Sequence, residues 1–105
     1  MLVDFWDCSF RQQLELVRGA EVMVGPDGSS LMTSFFARPG TRIGVLDNPC
    51  LEDNEWYGLV CATLGQPLLY LTGEIVAEDP NYRFRSSYRL DVAALGPFLD
   101  ELLAR

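Results

Sequence analysis

The sequence predicts an α/β domain spanning residues 1–105, with a small parallel sheet of three to four strands flanked by helices in three layers. Three observations predict it. Apolar runs at residues 21–24, 41–46 and 67–72 have strand length and little alternation, the mark of strands covered on both faces. Between them lie segments of about ten residues with helical spacing, the pattern of βαβ units. Glycine or proline punctuates the junctions at Gly19, Gly25, Pro39, Gly40, Pro49, Gly65 and Gly73.

Composition narrows the function. A chain of 105 residues that is 49% hydrophobic buries a core as one domain. Its net charge is −7, all eight basic residues are arginine, and histidine is absent. That balance excludes nucleic acid or an anionic membrane surface as the main partner, because both need clustered basic charge. The lack of histidine removes the commonest general base and metal ligand. Cys8, Cys50 and Cys61 are odd in number, widely spaced and free of a C-x-x-C pair, so they read as free thiols in a reducing compartment, with no zinc site and no cofactor implied. The acidic start, Met1 to Asp7, is no signal peptide, and no apolar run approaches the ~20 residues of a membrane span. A cytoplasmic location is the expectation.

The elements follow in order. Residues 1–5 form a short strand or the lead-in to a helix. Asp7 or Ser9 caps a helix over 10–18, with Phe10, Leu14 and Val17 on its buried face and Gly19 closing it. Glu21 to Val24 is the first strand, stopped by Gly25, Pro26, Asp27 and Gly28. Asp27 or Ser29 then caps a helix whose buried face is Leu31, Met32, Phe35 and Phe36, ended by Pro39-Gly40. Thr41 to Leu46 is the second strand. After an acidic loop, Asp53 or Asn54 caps a helix from Glu55 to about Leu64, with Trp56, Leu59, Val60, Thr63 and Leu64 as its apolar face and Gly65 ending it. Pro67 to Thr72 is a third strand, buried on both sides. Residues 74–81 are polar and turn-like, and residues 82–90 are an edge strand or an irregular arm. Asp91 caps a last helix with Val92, Leu95, Leu99 and Leu102 at helical spacing, kinked or shortened at Gly96-Pro97.

A strand, a glycine-bearing turn and a helix is where α/β proteins place anionic ligands, on the N–H groups of the helix's first turn. The residues here carry a resemblance as well. Gln13, then Ala20-Glu-Val-Met-Val-Gly-Pro-Asp-Gly-Ser-Ser-Leu, then Phe36-Ala-Arg-Pro-Gly-Thr-Arg-Ile-Gly-Val-Leu46 resembles the carboxyl-terminal region of glycosyltransferase family sixty-one. That region carries a Q…A-x-V-x-V-G-P-H-G-A-x-L-x-N-x-x-F-x-x-P-G-T-x-V-x-E-L pattern. Leu64-Gly-Gln-Pro-Leu-Leu-Tyr70 and the stretch from Asp91 to Leu95 are similar to the family's later segments, so the likeness runs over most of residues 13–103, with Val22 to Leu46 as its specific core.

The resemblance implies a nucleotide-sugar-dependent glycosyltransferase of the GT-B type, built from two Rossmann-like domains, of which this chain is the carboxyl-terminal, donor-holding half. By position, Gly25, Pro26, Asp27, Gly28, Ser29 and Ser30 form the loop facing the donor's diphosphate, with backbone N–H groups and both hydroxyls donating to phosphate oxygens. Glu52 or Glu55 suits acceptance from ribose hydroxyls, on chemical grounds alone. Asp27 stands where the family carries histidine, and a carboxylate beside a diphosphate is repulsive unless it turns away to cap the helix. The family's Ala and Asn positions are Ser29 or Ser30 and Ser34.

Blander readings stand beside these. Gly25 and Gly28 serve either phosphate contact or only a tight turn. Asp27 is an N-cap before it is a base, and the loop holding Glu52 and Glu55 is a solvated helix start before it is a ribose site. Trp56, Tyr57 and the phenylalanines are core or interface residues rather than sugar platforms. Arg83, Arg85 and Arg89 form a solvated face in preference to an anion site. The alternative function is a non-catalytic truncated relative, in which the face left by a missing amino-terminal domain mediates homo-oligomerisation or partner binding.

Overall fold

A computed structural model describes residues 2–28, 31–49, 55–82 and 86–105, apart from the side chains of residues 55 and 56. A 3-10 turn over Phe5–Asp7, capped by Asp4, leads into helix α1, Phe10–Gly19. Ser9 is the α1 cap. Its hydroxyl accepts from the Gln12 amide while the Gln12 side chain accepts from the Ser9 amide, a reciprocal capping box.

Strands β1 (Val22–Pro26), β2 (Arg42–Asp47) and β3 (Leu68–Thr72) form a parallel sheet in the order β1-β2-β3. Helix α2, Glu55–Leu64, begins and ends where the pattern predicts. Arg42 donates its amide to Glu21 and Asp27 donates its own to Leu46, so the odd residues of β1 face β2. Val22, Val24 and Pro26 therefore turn their backbone groups to the open edge, where proline removes no ladder bond.

The central strand carries the core. Ile43 and Val45 are fully buried on one face, in a cluster with Leu31, Tyr57 and Cys61. On the other face Phe98 and Leu102 of helix α3 (Val92–Leu103) press onto Gly44, where an added Cβ would stand 2.9 Å from Leu102 and 3.0 Å from Phe98. The result is three layers, with the three parallel strands in the order the sequence predicts. Gly40 (φ 84°) and Gly65 (φ 68°) take the left-handed conformation at the two exits into β2 and β3, which favours glycine there.

Four local expectations are corrected. The segment after β1 is a 3-10 helix over Leu31–Phe36, not an α-helix. With three residues per turn, its buried side is Leu31 and Ser34 with Ala37 beyond, while Met32 and Phe36 are 40% and 49% exposed. Phe36 instead meets Phe10 of α1 edge-on, ring centroids 6.1 Å apart. Next, β3 is an edge strand and only half-buried, since no further strand joins its open side among the described residues. No fourth strand joins the parallel sheet there either: the segment expected to be polar turn holds β4 (Glu74–Ala77), which pairs antiparallel with β5 (Ser87–Arg89) in a separate hairpin. Last, α3 runs unbroken through Pro97 and buries Phe98 and Leu102, leaving Val92 79% exposed. Which arc of that helix faces inward is decided by the flat seat that Gly44 offers.

Cys8 and Cys61 are free thiols, and Cys50 lies outside the described residues. No described helix is long and apolar enough to cross a membrane.

Candidate functional site: the carboxyl edge of the parallel sheet

The three parallel strands point their carboxyl ends the same way, at Pro26, Asp47 and Thr72. Asp27 and Gly28 continue from β1 at this edge. The carbonyl of Leu46 accepts from the Asp27 amide at 3.2 Å and from the Tyr88 hydroxyl at 3.4 Å, which draws the β4/β5 hairpin against the same edge. Asn48 reinforces that contact by donating from Nδ2 to the Ser86 carbonyl at 3.4 Å. The Asp47 carboxylate accepts from the Thr72 hydroxyl at 3.0 Å, and its carbonyl accepts from the Gly73 amide at 3.0 Å. Neighbouring strand ends are thus laced together.

The glycines of the loop carry no conformational demand of their own. Neither Gly25 nor Gly28 has a positive φ. A Cβ on Gly25 would meet Leu31 at an ordinary 3.6 Å, and one on Gly28 would meet nothing within 4 Å among the described residues. A tight turn requiring glycine is therefore not what the backbone shows here. The Gly28 carbonyl accepts from the amides of Leu31 and Met32 and from the Tyr57 hydroxyl at 3.4 Å, which ties the loop to the 3-10 helix and to α2.

The electrostatics follow from burial among acids and phenols. Partial burial raises the Asp27 carboxyl above its usual range, a hydrogen bond from Tyr57 pulls it back down, and the charge of Asp47 pushes it up again. Burial, then the nearby Asp27 charge, drives the Tyr57 phenol far above its ordinary value, so it stays neutral. Tyr70 and Tyr88 are raised too, chiefly by burial, with the charges of Asp27 and Asp47 adding to both. Among the described residues the edge presents the carboxyl groups of Asp27 and Asp47 and a set of neutral phenols.

Of the predicted site residues, Gly25, Pro26, Asp27 and Gly28 come together at this edge. Ser29, Ser30 and Glu52 lie outside the described residues, as do Arg83 and Arg85. Glu55 opens α2, and its side chain is likewise outside the description. Sequence reasoning passed over Asp47, Thr72 and Tyr88. The first two carried a usable signal, since each ends a predicted strand on the side where the loop lies. The sequence places Tyr57 in the core or an interface; it is core, at 0% exposure, and its hydroxyl reaches the loop. Among the described residues no group of three or more His, Cys, Asp or Glu side chains is placed to hold a metal ion.

Comparison with known families adds one finding. Residues 1–44 match the sequence model of the family described as Glycosyltransferase 61, a stretch that runs from the 3-10 turn before α1, through the loop, into β2. No curated protein and no solved structure matches the chain.

Proposed function

From this relationship to Glycosyltransferase 61 over residues 1–44, we propose that the domain is the nucleotide-sugar donor-binding part of a glycosyltransferase-like protein, a Rossmann-like half of GT-B type. Joined to an amino-terminal domain, it would transfer a sugar to a glycan or polysaccharide acceptor.

The observation that carries the reading is the position of the loop over residues 25–28. It lies inside the matched stretch and at the carboxyl edge of a parallel sheet, the edge at which open α/β sheets bind ligands. Among the described residues nothing crowds Gly28, and its backbone angles are ordinary, which supports close approach of a ligand to the chain there. Gly25, Pro26, Asp27, Gly28, Ser29 and Ser30 make up the diphosphate-facing loop in this proposal, and Glu52 or Glu55 the ribose contact. A six-residue 3-10 helix contributes little macrodipole, so the attraction rests on individual N–H and hydroxyl donors.

Titration of the chain with uridine and guanosine diphosphates and their sugar conjugates tests the reading, with Gly28→Val as the control. Saturable binding that the valine abolishes is the expected result. Binding unchanged in Gly28→Val would remove the loop from the site.

A second reading draws on α3. Val92, Leu99 and Leu103 are 79%, 39% and 56% exposed and lie beside one another on a helical wheel. An apolar stripe of this kind suits the non-catalytic alternative, a module that oligomerises or binds a partner. Sedimentation as a monomer at high concentration would count against self-association.

A further inference from the structure

We propose that Asp47 is a ribose-binding residue: its carboxylate, held by the Thr72 hydroxyl at the end of the parallel sheet, accepts from the ribose 2′-hydroxyl of the nucleotide, so that the site selects ribonucleoside over 2′-deoxyribonucleoside diphosphates. The proposal rests on the donor-site reading above and adds a contact to the Glu52 or Glu55 of that reading.

Strand register places the residue. β2 lies beside β1 and ends at Asp47, and the Asp27 amide bonds to the Leu46 carbonyl, so the loop over residues 25–28 passes alongside the end of β2. Side chains alternate along a strand, which puts Asp47 on the same face as Ile43 and Val45. That face also carries Leu31, the residue at which the chain re-enters the core after the loop. Loop and carboxylate are thus on one side of the sheet, about one strand spacing of ~4.8 Å apart. A ligand whose phosphates meet the loop and whose ribose lies over the end of β2 brings its hydroxyls to Asp47. An acidic side chain about 20 residues beyond a glycine-bearing loop, at the end of a parallel strand, suits acceptance from a ribose hydroxyl, and Asp47 stands at about that separation from Gly28.

Two bonds to β3 hold the group. Asp47 and Thr72 are register partners. Thr72 Oγ1 donates to Asp47 Oδ2 at 3.0 Å, and the Gly73 amide donates to the Asp47 carbonyl at 3.0 Å. Main chain and side chain of Asp47 are both tied to the neighbouring strand, and the carboxylate leans toward β3. A carboxylate accepts at about four positions, so the threonine orients it without exhausting it. Thr72 is exposed and Asp47 half-buried, which keeps the pair at the surface. A carboxylate can only accept, and a ribose hydroxyl can donate to it. A 2′-deoxy sugar lacks one such hydroxyl, and a strand-end staple with no ligand role would be blind to that atom.

The negative charge of Asp47 also disfavours nearby phosphates, whichever sugar carries them. The measurement is therefore a ratio of affinities, in which that effect cancels. The chain is titrated with uridine and guanosine diphosphates, each beside its 2′-deoxy counterpart. The parent is expected to bind the ribose form on the order of tenfold more tightly, the scale of one hydrogen bond to a charged group. In Asp47→Ala the ratio is expected to fall to about one, whatever happens to the separate affinities. Thr72→Val keeps Asp47 and the shape of the threonine, and it is expected to lower the ratio too. It decides the matter if a thermal melt shows Asp47→Ala to be unfolded. Equal binding of the two sugars by the parent overturns the proposal and leaves the donor reading standing. So does a ratio that survives in folded Asp47→Ala or, where that variant does not fold, in Thr72→Val. No binding of any of these ligands at millimolar concentration overturns both.

Discussion

Gly73 passes so close to Arg89 that a Cβ on the glycine would stand 2.6 Å from the Arg89 carbonyl oxygen and 2.8 Å from the Tyr88 ring. This crossing is where the chain leaves the parallel sheet after β3 and starts the β4/β5 hairpin. The close approach sets Tyr88 within reach of the Leu46 carbonyl, so the hairpin's seat at the carboxyl edge depends on one missing side chain.

Gly73→Ala is accordingly expected to destabilise the domain by about 1–3 kcal/mol, the range of an overpacked site, because the opposing atom is backbone and cannot swing aside. Amide exchange should accelerate first at Ser87 to Arg89. Exchange unchanged there would mean that the hairpin adjusts without loss.

A second glycine makes the comparable test inside the core. Gly44→Ala drives a methyl against Leu102, Phe98 and Val24, all within 3.1 Å, and should lower stability by about 1–3 kcal/mol by lifting α3. Gly58→Ala, in the interior of α2 with nothing within 4 Å of the new methyl, should instead stabilise by roughly 0.5–1 kcal/mol. Denaturant unfolding of the two variants should move in opposite directions.

Much of the sheet is legible in the sequence because a parallel sheet writes itself as short apolar runs separated by helical segments. Both ends of α2, the caps at Ser9 and Asp91, and the three parallel strands follow from such local signals. The misreadings have one cause in common. Met32 and Phe36 fit an α-helical face with Leu31 and Phe35, but packing against α1 and the sheet selected a 3-10 period that keeps Leu31 inward, adds Ser34 and turns Met32 and Phe36 out. Val92 and Leu99 fit the stripe of α3 with Leu102, yet the seat at Gly44 takes Leu102 together with Phe98 and leaves Val92 and Leu99 exposed. Glu74–Ala77 is too short to announce itself as a strand. At the site, the glycine-bearing loop is readable as a strand-to-helix turn, whereas the hydrogen bond from the Tyr57 hydroxyl to the Gly28 carbonyl joins residues far apart in sequence and needs the folded core to bring them together.

The raised Asp27 carboxyl gives a pH prediction. A carboxyl whose folded pKa lies above its unfolded value favours the protonated form in the folded state. Its stabilising contribution is complete below the unfolded value near ~4 and is lost as pH rises through the folded value. Asp27→Asn, which keeps an acceptor for Tyr57, should therefore melt higher than the parent at pH 7, and the gap should close as pH falls toward ~4. A gap that widens on acidification would reverse the assigned sign.

The central claim is that the loop after β1 is a ligand-binding element, and amide NMR of the chain during titration with uridine or guanosine diphosphate tests it most directly. Saturable shifts greatest at Gly25, Asp27 and Gly28, and fading toward the amino ends of the strands, are the predicted result. Full occupancy with shifts centred elsewhere, or no shift at millimolar ligand, would contradict it.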